Sequence, residues 1–250
     1  MSGTFSGTGA VFRRELRAYF FSPLAYIILA FFLVVQGYYF SLIVAFLSDP
    51  RASAGKPLEL FFGQTIFTWL VLLFCGTFLT MRLISEELRS GTIETLMTAP
   101  VTETQVVLGK YFASFVFYLF LWAPTLLYVA IVRAHTTVDW GPIAASYIGI
   151  AGIGALFLSV GLFASATSKN QIVAAIVTFA CLLVLFSAGL MENLFNGETA
   201  KKVFAHVNLW QHMDDFSKGI VDTRRLVYYL SGSAFFLFLT GRALAAKKWR

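Results

Sequence analysis

The chain has 250 residues, of which 58% are hydrophobic and only 13% charged. Soluble domains carry about 25% charged residues, and a soluble fold of this size could not hide so much apolar surface. Net charge is +6, but the basic residues gather at the edges of apolar runs. That placement suits membrane orientation and contact with anionic lipid, so membrane lipid is an expected partner and nucleic acid is not.

Residues 1–9 are small and polar and read as a disordered start. Val11–Phe21 reads as an amphipathic helix. Phe12, Leu16, Tyr19 and Phe20 share one face, and Arg13, Arg14 and Arg17 the other. Such a helix lies in the membrane interface with its apolar side down. Ser22-Pro23 then opens the first span, with Ser as N-cap and Pro at the first helical position.

Leu24–Leu47, Leu60–Met81, Tyr111–Val132, Ile143–Ser168 and Asn170–Met191 contain no Asp, Glu, Lys or Arg. Each has the roughly 20 residues that cross about 30 Å of hydrocarbon. Leu226–Gly241 is shorter, but Arg225 and Arg242 at its ends can snorkel to the two surfaces. The pattern predicts an all-α integral membrane protein, a single transmembrane domain over 1–250. Its spans are expected at about 23–47, 60–84, 105–132, 143–167, 170–191 and 225–246. A transmembrane barrel would need alternating strands of roughly 10 residues, and no such alternation occurs. The basic start precedes an apolar run too long for a signal h-region, so the first span is expected to stay as an anchor. An even number of spans puts both termini on one side. Eleven of the 19 Lys and Arg fall there, and most of the others sit in one long loop. Long loops weigh less in the positive-inside rule, so the termini are expected in the cytoplasm.

The connections carry their own signals. Asp49–Pro57 reads as an external turn. The second span runs on into a charged end, Arg82–Arg89, and Gly91 is a good helix stop. Thr92 can cap a short helix over 92–99, with Glu94 in its first turn and Pro100 ending it. Thr102-x-x-Gln105 fits a capping box for the third helix, and Ser168-x-x-Gln171 a second one for the fifth. Pro124 predicts a kink in span three. In span four Ala151, Ala155 and Ser159 recur every four positions, which suits close helix approach. The external segment 192–224 holds an apolar stripe, Leu209, Met213, Phe216 and Ile220, opposite Asp214, Asp215 and Lys218. It reads as an interfacial helix ended by Gly219, or else as a packed loop. Asp222 can cap the last span.

Chemistry-bearing patterns are scarce. Gly109-Lys110 lacks the upstream Gly and the following Ser/Thr of a phosphate-cradling loop. His212 and Asp215 are three apart and could share a ligand, but with His135 and His206 they read as polar decoration, and no metal is expected. Cys75 and Cys181 fall inside spans without a nearby base. The charge-free runs carry no ion or proton relay. Gln36 and Gln64 either bond between helices or line a pathway. No catalytic residue is expected. There remains Ser85–Lys110, an ordered segment in which Ile93, Leu96 and Met97 offer an apolar face. Glu86, Glu87, Arg89 and Glu94 would stand at its rim, a pattern suited to docking in a partner's groove. The other reading is a solvated loop with incidental caps.

Residues Ser85–Val101 (SEELRSGTIETLMTAPV), followed by Gly109-Lys110, resemble the signature of ABC-2 type permeases. The acidic pair, Gly91-Thr92, Glu94, Leu96, Pro100 and the Gly-Lys pair fall in that family's order. Arg13–Pro23 resembles its elbow helix, here taken over 11–21. His212–Ser231 resembles the subgroup that includes the gliding-motility permease, although Arg225 stands where that subgroup has an acidic residue. The resemblance implies a six-helix half-transporter in a bacterial-type cytoplasmic (inner) membrane. A second permease half, identical or related, would pair with it, and a separate ABC ATPase subunit would bind ATP and Mg. No cofactor is implied in this chain itself. The helix at 92–99 would be the coupling helix. The implied ATPase-coupling residues are Glu86, Glu87, Arg89, Gly91, Thr92, Ile93, Glu94, Leu96, Met97 and Pro100. The elbow residues are Phe12, Arg13, Arg14, Leu16, Arg17 and Phe20. The implied function is outward movement of a substrate the sequence does not identify. The alternative is a membrane scaffold that passes ATPase motion to an extracytoplasmic protein or motility machine.

Overall fold

The computed structural model describes residues 2–48, 57–63, 65–92, 101–189 and 204–248, and these hold helices and turns without a strand. Six helical stretches are long and apolar enough to cross a membrane: Pro23–Leu47, Ile66–Ser90, Glu103–His135, Trp140–Thr167, Gln171–Ala188 and Thr223–Lys247. The chain is thus a multi-pass, all-α membrane protein. Its spans run alternately away from and back to the end that carries both termini, called here the terminal end.

The first helix, α1 (Ser2–Phe20), starts at Ser2, where a disordered stretch was expected. It packs along the first half of α6 (Glu103–Trp122). Tyr19 stacks on Phe117 with ring centroids 4.9 Å apart, and Phe20 meets Phe117 and Phe120 edge-on. On α1, Val11 and Tyr19 are buried, and Glu15 stands between them at i+4 from Val11, half-buried like Phe12, Leu16 and Phe20. The crossing is close because position 109 is glycine. A Cβ there would lie 2.8 Å from the Val11 Cβ.

Span one is α2 (Pro23–Leu47). Ser22 occupies its N-cap in an extended conformation but makes no side-chain cap. Its hydroxyl instead accepts a hydrogen bond from Arg82 Nη2 at 2.8 Å. The expected start of span two at residue 60 is too early. Leu60–Phe62 belong to a separate short helix, α3 (Pro57–Phe62), and α4 (Ile66–Thr80) is a new helix with Thr65 at its N-cap, so a break parts the two. Phe61 and Phe62 are buried against Tyr39, Phe40, Tyr128 and Tyr147. Tyr39 and Thr65 both donate to the Leu60 carbonyl. An unbroken apolar run hides such a break, because the turn is held by hydroxyls rather than by charge.

A second interruption separates α4 from α5 (Ser85–Ser90). The backbone N–H groups of Ile84 and Ser85 donate to Ser165 Oγ at 3.1 and 3.0 Å, across from α8 (Trp140–Thr167). Helix α5 stops at Gly91, whose φ of 72° is the left-handed geometry expected there. At Thr102 the expected capping box is present, with both reciprocal bonds formed. Pro124 lies in a 3-10 turn, Ala123–Thr125, between α6 and α7 (Leu126–His135).

Helix α8 is the buried centre and contacts most other helices. Its close approaches occur at glycines. Gly154 faces the Tyr118 ring, and Gly161 faces Thr80. At the start of α9 (Gln171–Ala188) the cap is Asn170, which accepts from Ile172 N at 2.8 Å, and Ser168 merely ends α8. The expected Ser168–Gln171 box is therefore absent, because Asn170 stands nearer and satisfies the same exposed donors.

The segment expected on the outer surface is also placed differently. Helix α10 (Leu209–Ser217) is real, but Leu209, Met213 and Phe216 are fully buried and pack on α8. Ile220 lies beyond the helix and is exposed, and Gly219 ends it with φ 86°. Asp222 accepts from Arg224 N at 2.8 Å at the start of α11 (Thr223–Lys248). Arg225 clasps α10 through Asp215 and the carbonyls of Gln211 and His212. His212 meets Tyr229 at 2.9 Å, so His212 and Asp215 do not share a ligand. Among the described residues no group of His, Cys, Asp or Glu could hold a metal ion.

Candidate functional site

The densest charge in the described structure lies at the terminal end, where α1, α5 and α6 meet. Helix α6 enters the bundle with Lys110 one residue after the glycine that α1 crosses. The Lys110 side chain is 1% exposed. An ammonium so deep must be paired. Its Nζ lies 2.9 Å from Glu87 of α5 and 3.1 Å from Glu15 of α1. Arg14 closes the network from outside. Its Nη2 reaches Glu15 at 2.6 Å and Glu87 at 2.9 Å, while its side chain stays 52% exposed.

Two carboxylates thus share two cations, one buried and one at the rim, and the group is electrically neutral. Burial of Glu15 opposes its ionisation, but Lys110 and Arg14 outweigh that and hold its pKa below the usual carboxylate value. One Glu87 oxygen, Oε2, is buried without a hydrogen-bond partner. Beside the network a cleft of about 470 Å³ is lined by Tyr19, Ser22, Arg82, Glu86 and Gln171 as well as the paired charges. Tyr19 donates to the Leu79 carbonyl, tying α1 to α4 as well. The consequence is mechanical. The N-terminal helix, the end of span two and the start of span three are joined through one lysine, and none can shift without uncovering a buried charge.

Of the residues picked out in the sequence, Glu86, Arg89, Gly91 and Thr92 are exposed at the end of α5. Glu87 is not a free rim group, because it is committed to Lys110 and Arg14. Ile93, Glu94, Leu96, Met97 and Pro100, and with them the expected helix at 92–99, lie outside the described residues. On α1, Arg13 and Arg17 are exposed, and Arg14 bridges to α5. Sequence reasoning missed Glu15 and the part played by Lys110. The available signal was Glu15 at i+4 from Val11 and i−4 from Tyr19, a lone carboxylate between two buried positions.

A multi-pass helical bundle with a network of paired charges at one end has a build that suits a membrane transport subunit. Comparison with known families bears this out. Residues 58–211 match the family described as ABC-2 family transporter protein. The match covers more than half of the chain, and the chain belongs to that family. It is a membrane permease component of an ABC transporter. The family works in general with an ABC ATPase partner. No curated protein matches the chain.

Proposed function

We propose that this chain is the permease subunit of an ATP-driven exporter, with the terminal end facing the cytoplasm and a separate ATPase docked there. The observation that carries the reading is the Lys110 network. In an ATP-driven pump without its own nucleotide site, force must enter from a partner and reach the spans. The exposed end of α5, with Glu86, Arg89 and Thr92, offers the contact surface. Glu87 in the same helix is bonded to Lys110 of span three and, through it, to α1. A push on α5 therefore moves spans two and three and the N-terminal helix together. The interruption between α4 and α5, spanned by Ser165, gives α5 a place to pivot. Residues Ile93, Glu94, Leu96, Met97 and Pro100 would extend the contact surface as the coupling helix, and Arg13 and Arg17 would add to it from α1. A second copy or a related chain would supply the other half of the pathway. The gliding-motility subgroup is the proposed branch of the family.

The test is reconstitution of the chain with its cognate ATPase in proteoliposomes. ATP turnover that depends on the chain, together with outward solute flux, is expected. ATP turnover with no flux of any solute would point to a scaffold that drives an extracytoplasmic machine. Ion current without any ATPase would overturn both.

A further inference from the structure

The cleft beside the Lys110 network holds two charges that the network does not absorb. Its lining carries the carboxylates of Glu15, Glu86 and Glu87 and the cations of Arg82 and Lys110. Glu15 and Glu87 are matched by Lys110 and Arg14. That leaves Arg82 and Glu86. Among the described residues the half-buried Arg82 has one hydrogen-bond partner, the Ser22 hydroxyl at 2.8 Å. Neither Arg82 nor Glu86 makes an ion pair there. The two stand four residues apart, a spacing that lets side chains on one helix meet, but Arg before Glu is the weaker order. The interruption between α4 and α5 also falls between them. Glu87 adds a further acceptor to the cleft, its buried and unpartnered Oε2.

The spans around the cleft fix its depth. Ser22 precedes span one, Arg82 follows the apolar run of span two, and Gln171 is the first residue of α9. All three lie where spans leave the hydrocarbon, at the level of lipid headgroups. Just outward of them, Ile27 on α2 and Ile172 and Ile176 on α9 are exposed apolar side chains, a surface for acyl chains to cover. A guanidinium is a planar fork of donors suited to phosphate, and a carboxylate accepts from a primary ammonium. A cleft at headgroup depth that offers one of each matches a phosphate ester carrying an amine. We propose that the cleft binds the headgroup of phosphatidylethanolamine, with its phosphate on Arg82 and its ammonium on Glu86. The headgroup covers the open side of the Lys110 network and keeps water in the cleft from the buried charges.

The purified full-length chain is titrated in detergent with dioleoyl-phosphatidylethanolamine, dioleoyl-phosphatidylcholine and dioleoyl-phosphatidylglycerol in turn, and bound lipid is counted by native mass spectrometry. Phosphatidylethanolamine should bind about three-fold more tightly than either of the others, the contribution of one exposed ion pair. Phosphatidylcholine has no N–H to give Glu86, and phosphatidylglycerol has no cation. Glu86→Gln should erase the preference and leave phosphatidylcholine binding as it was. Arg82→Gln should weaken all three lipids, and Arg82→Lys should keep most of the binding, which separates lost charge from lost folding. Equal affinity for the three lipids, tighter binding of phosphatidylglycerol, or a preference that survives Glu86→Gln would overturn the inference. So would full displacement of the lipid by an equal concentration of soluble glycerophosphoethanolamine, since a water-soluble ester would then be the occupant. The cognate ATPase takes no part in these measurements, so the lipid site and the export reading stand or fall separately.

Discussion

Replacing Lys110 by Met removes the buried cation and keeps its apolar stem. Each of its two contacts, at 2.9 and 3.1 Å, is worth about 5 kcal/mol at an effective dielectric constant of 20. Desolvation of the ions cancels most of that, so the intact network adds little net stability. The asymmetry lies in the variant. Glu15 and Glu87, only 13% and 17% exposed, would face each other with Arg14 alone between them. Removing one partner of a buried pair costs about 3–5 kcal/mol. Because the half-exposed Arg14 still reaches both carboxylates, we expect about 3 kcal/mol for Lys110→Met. Adding Glu87→Gln should recover about 2 kcal/mol of it, since the second change removes the stranded charge. The assay is equilibrium unfolding in mixed detergent and dodecyl sulfate micelles, read as a double-mutant cycle. A single-variant loss under about 0.5 kcal/mol, or strict additivity in the cycle, would mean that Lys110 behaves as a surface charge and that the three helices are not joined through it.

Gly109→Leu should lever α1 away from α6, because even a Cβ there falls 2.8 Å from Val11. Limited proteolysis should then cut residues 1–21 faster while the remaining spans stay protected. The His212 pKa is pushed down to about 4, first by burial and then by Arg225 and His206, with Asp222 opposing. The unfolded chain takes up a proton near pH 6.5 that the fold refuses. Stability from this group is therefore full above about pH 6.5 and declines as pH falls toward 4, by about 3 kcal/mol in all. His212→Gln should flatten that slope in unfolding measured against pH, and an unchanged slope would assign it to the carboxylates. Gln36 is fully buried with neither side-chain amide atom bonded. Gln36→Leu should leave stability unchanged or raise it by about 1–2 kcal/mol. A marked loss in the same micelle titration would show that the amide bonds to something essential.

Much of the fold was legible because the bilayer imposes it. Runs without charge, long enough to cross hydrocarbon, locate the spans, and Gly91, Thr102, Gly219 and Asp222 act at the turns where local chemistry puts them. The errors share a cause. Leu60–Phe62, the Leu209–Phe216 stripe and the α1 face are apolar stretches whose partner is set by the tertiary fold. Periodicity gives a buried side but not what covers it, so a helix that packs on a neighbour reads like one that lies on lipid. Only half of the charged network could be read. Glu87 stood in a recognisable motif, whereas Glu15 lies 72 residues away in sequence on a different helix. A lone carboxylate on an inward line declares itself only when its counter-charge is in view.

The central claim is that the exposed end of α5 receives the ATPase and passes its motion through Glu87 to Lys110. The direct measurement is ATP hydrolysis by the cognate ATPase, reconstituted with the chain carrying Glu86→Lys and Arg89→Glu together. Both side chains are exposed, so the variant should fold and elute as the unaltered chain does. Loss of most of the stimulation that the unaltered chain gives is the expected result. Full stimulation by the charge-reversed chain would contradict the assignment of α5 as the point of coupling.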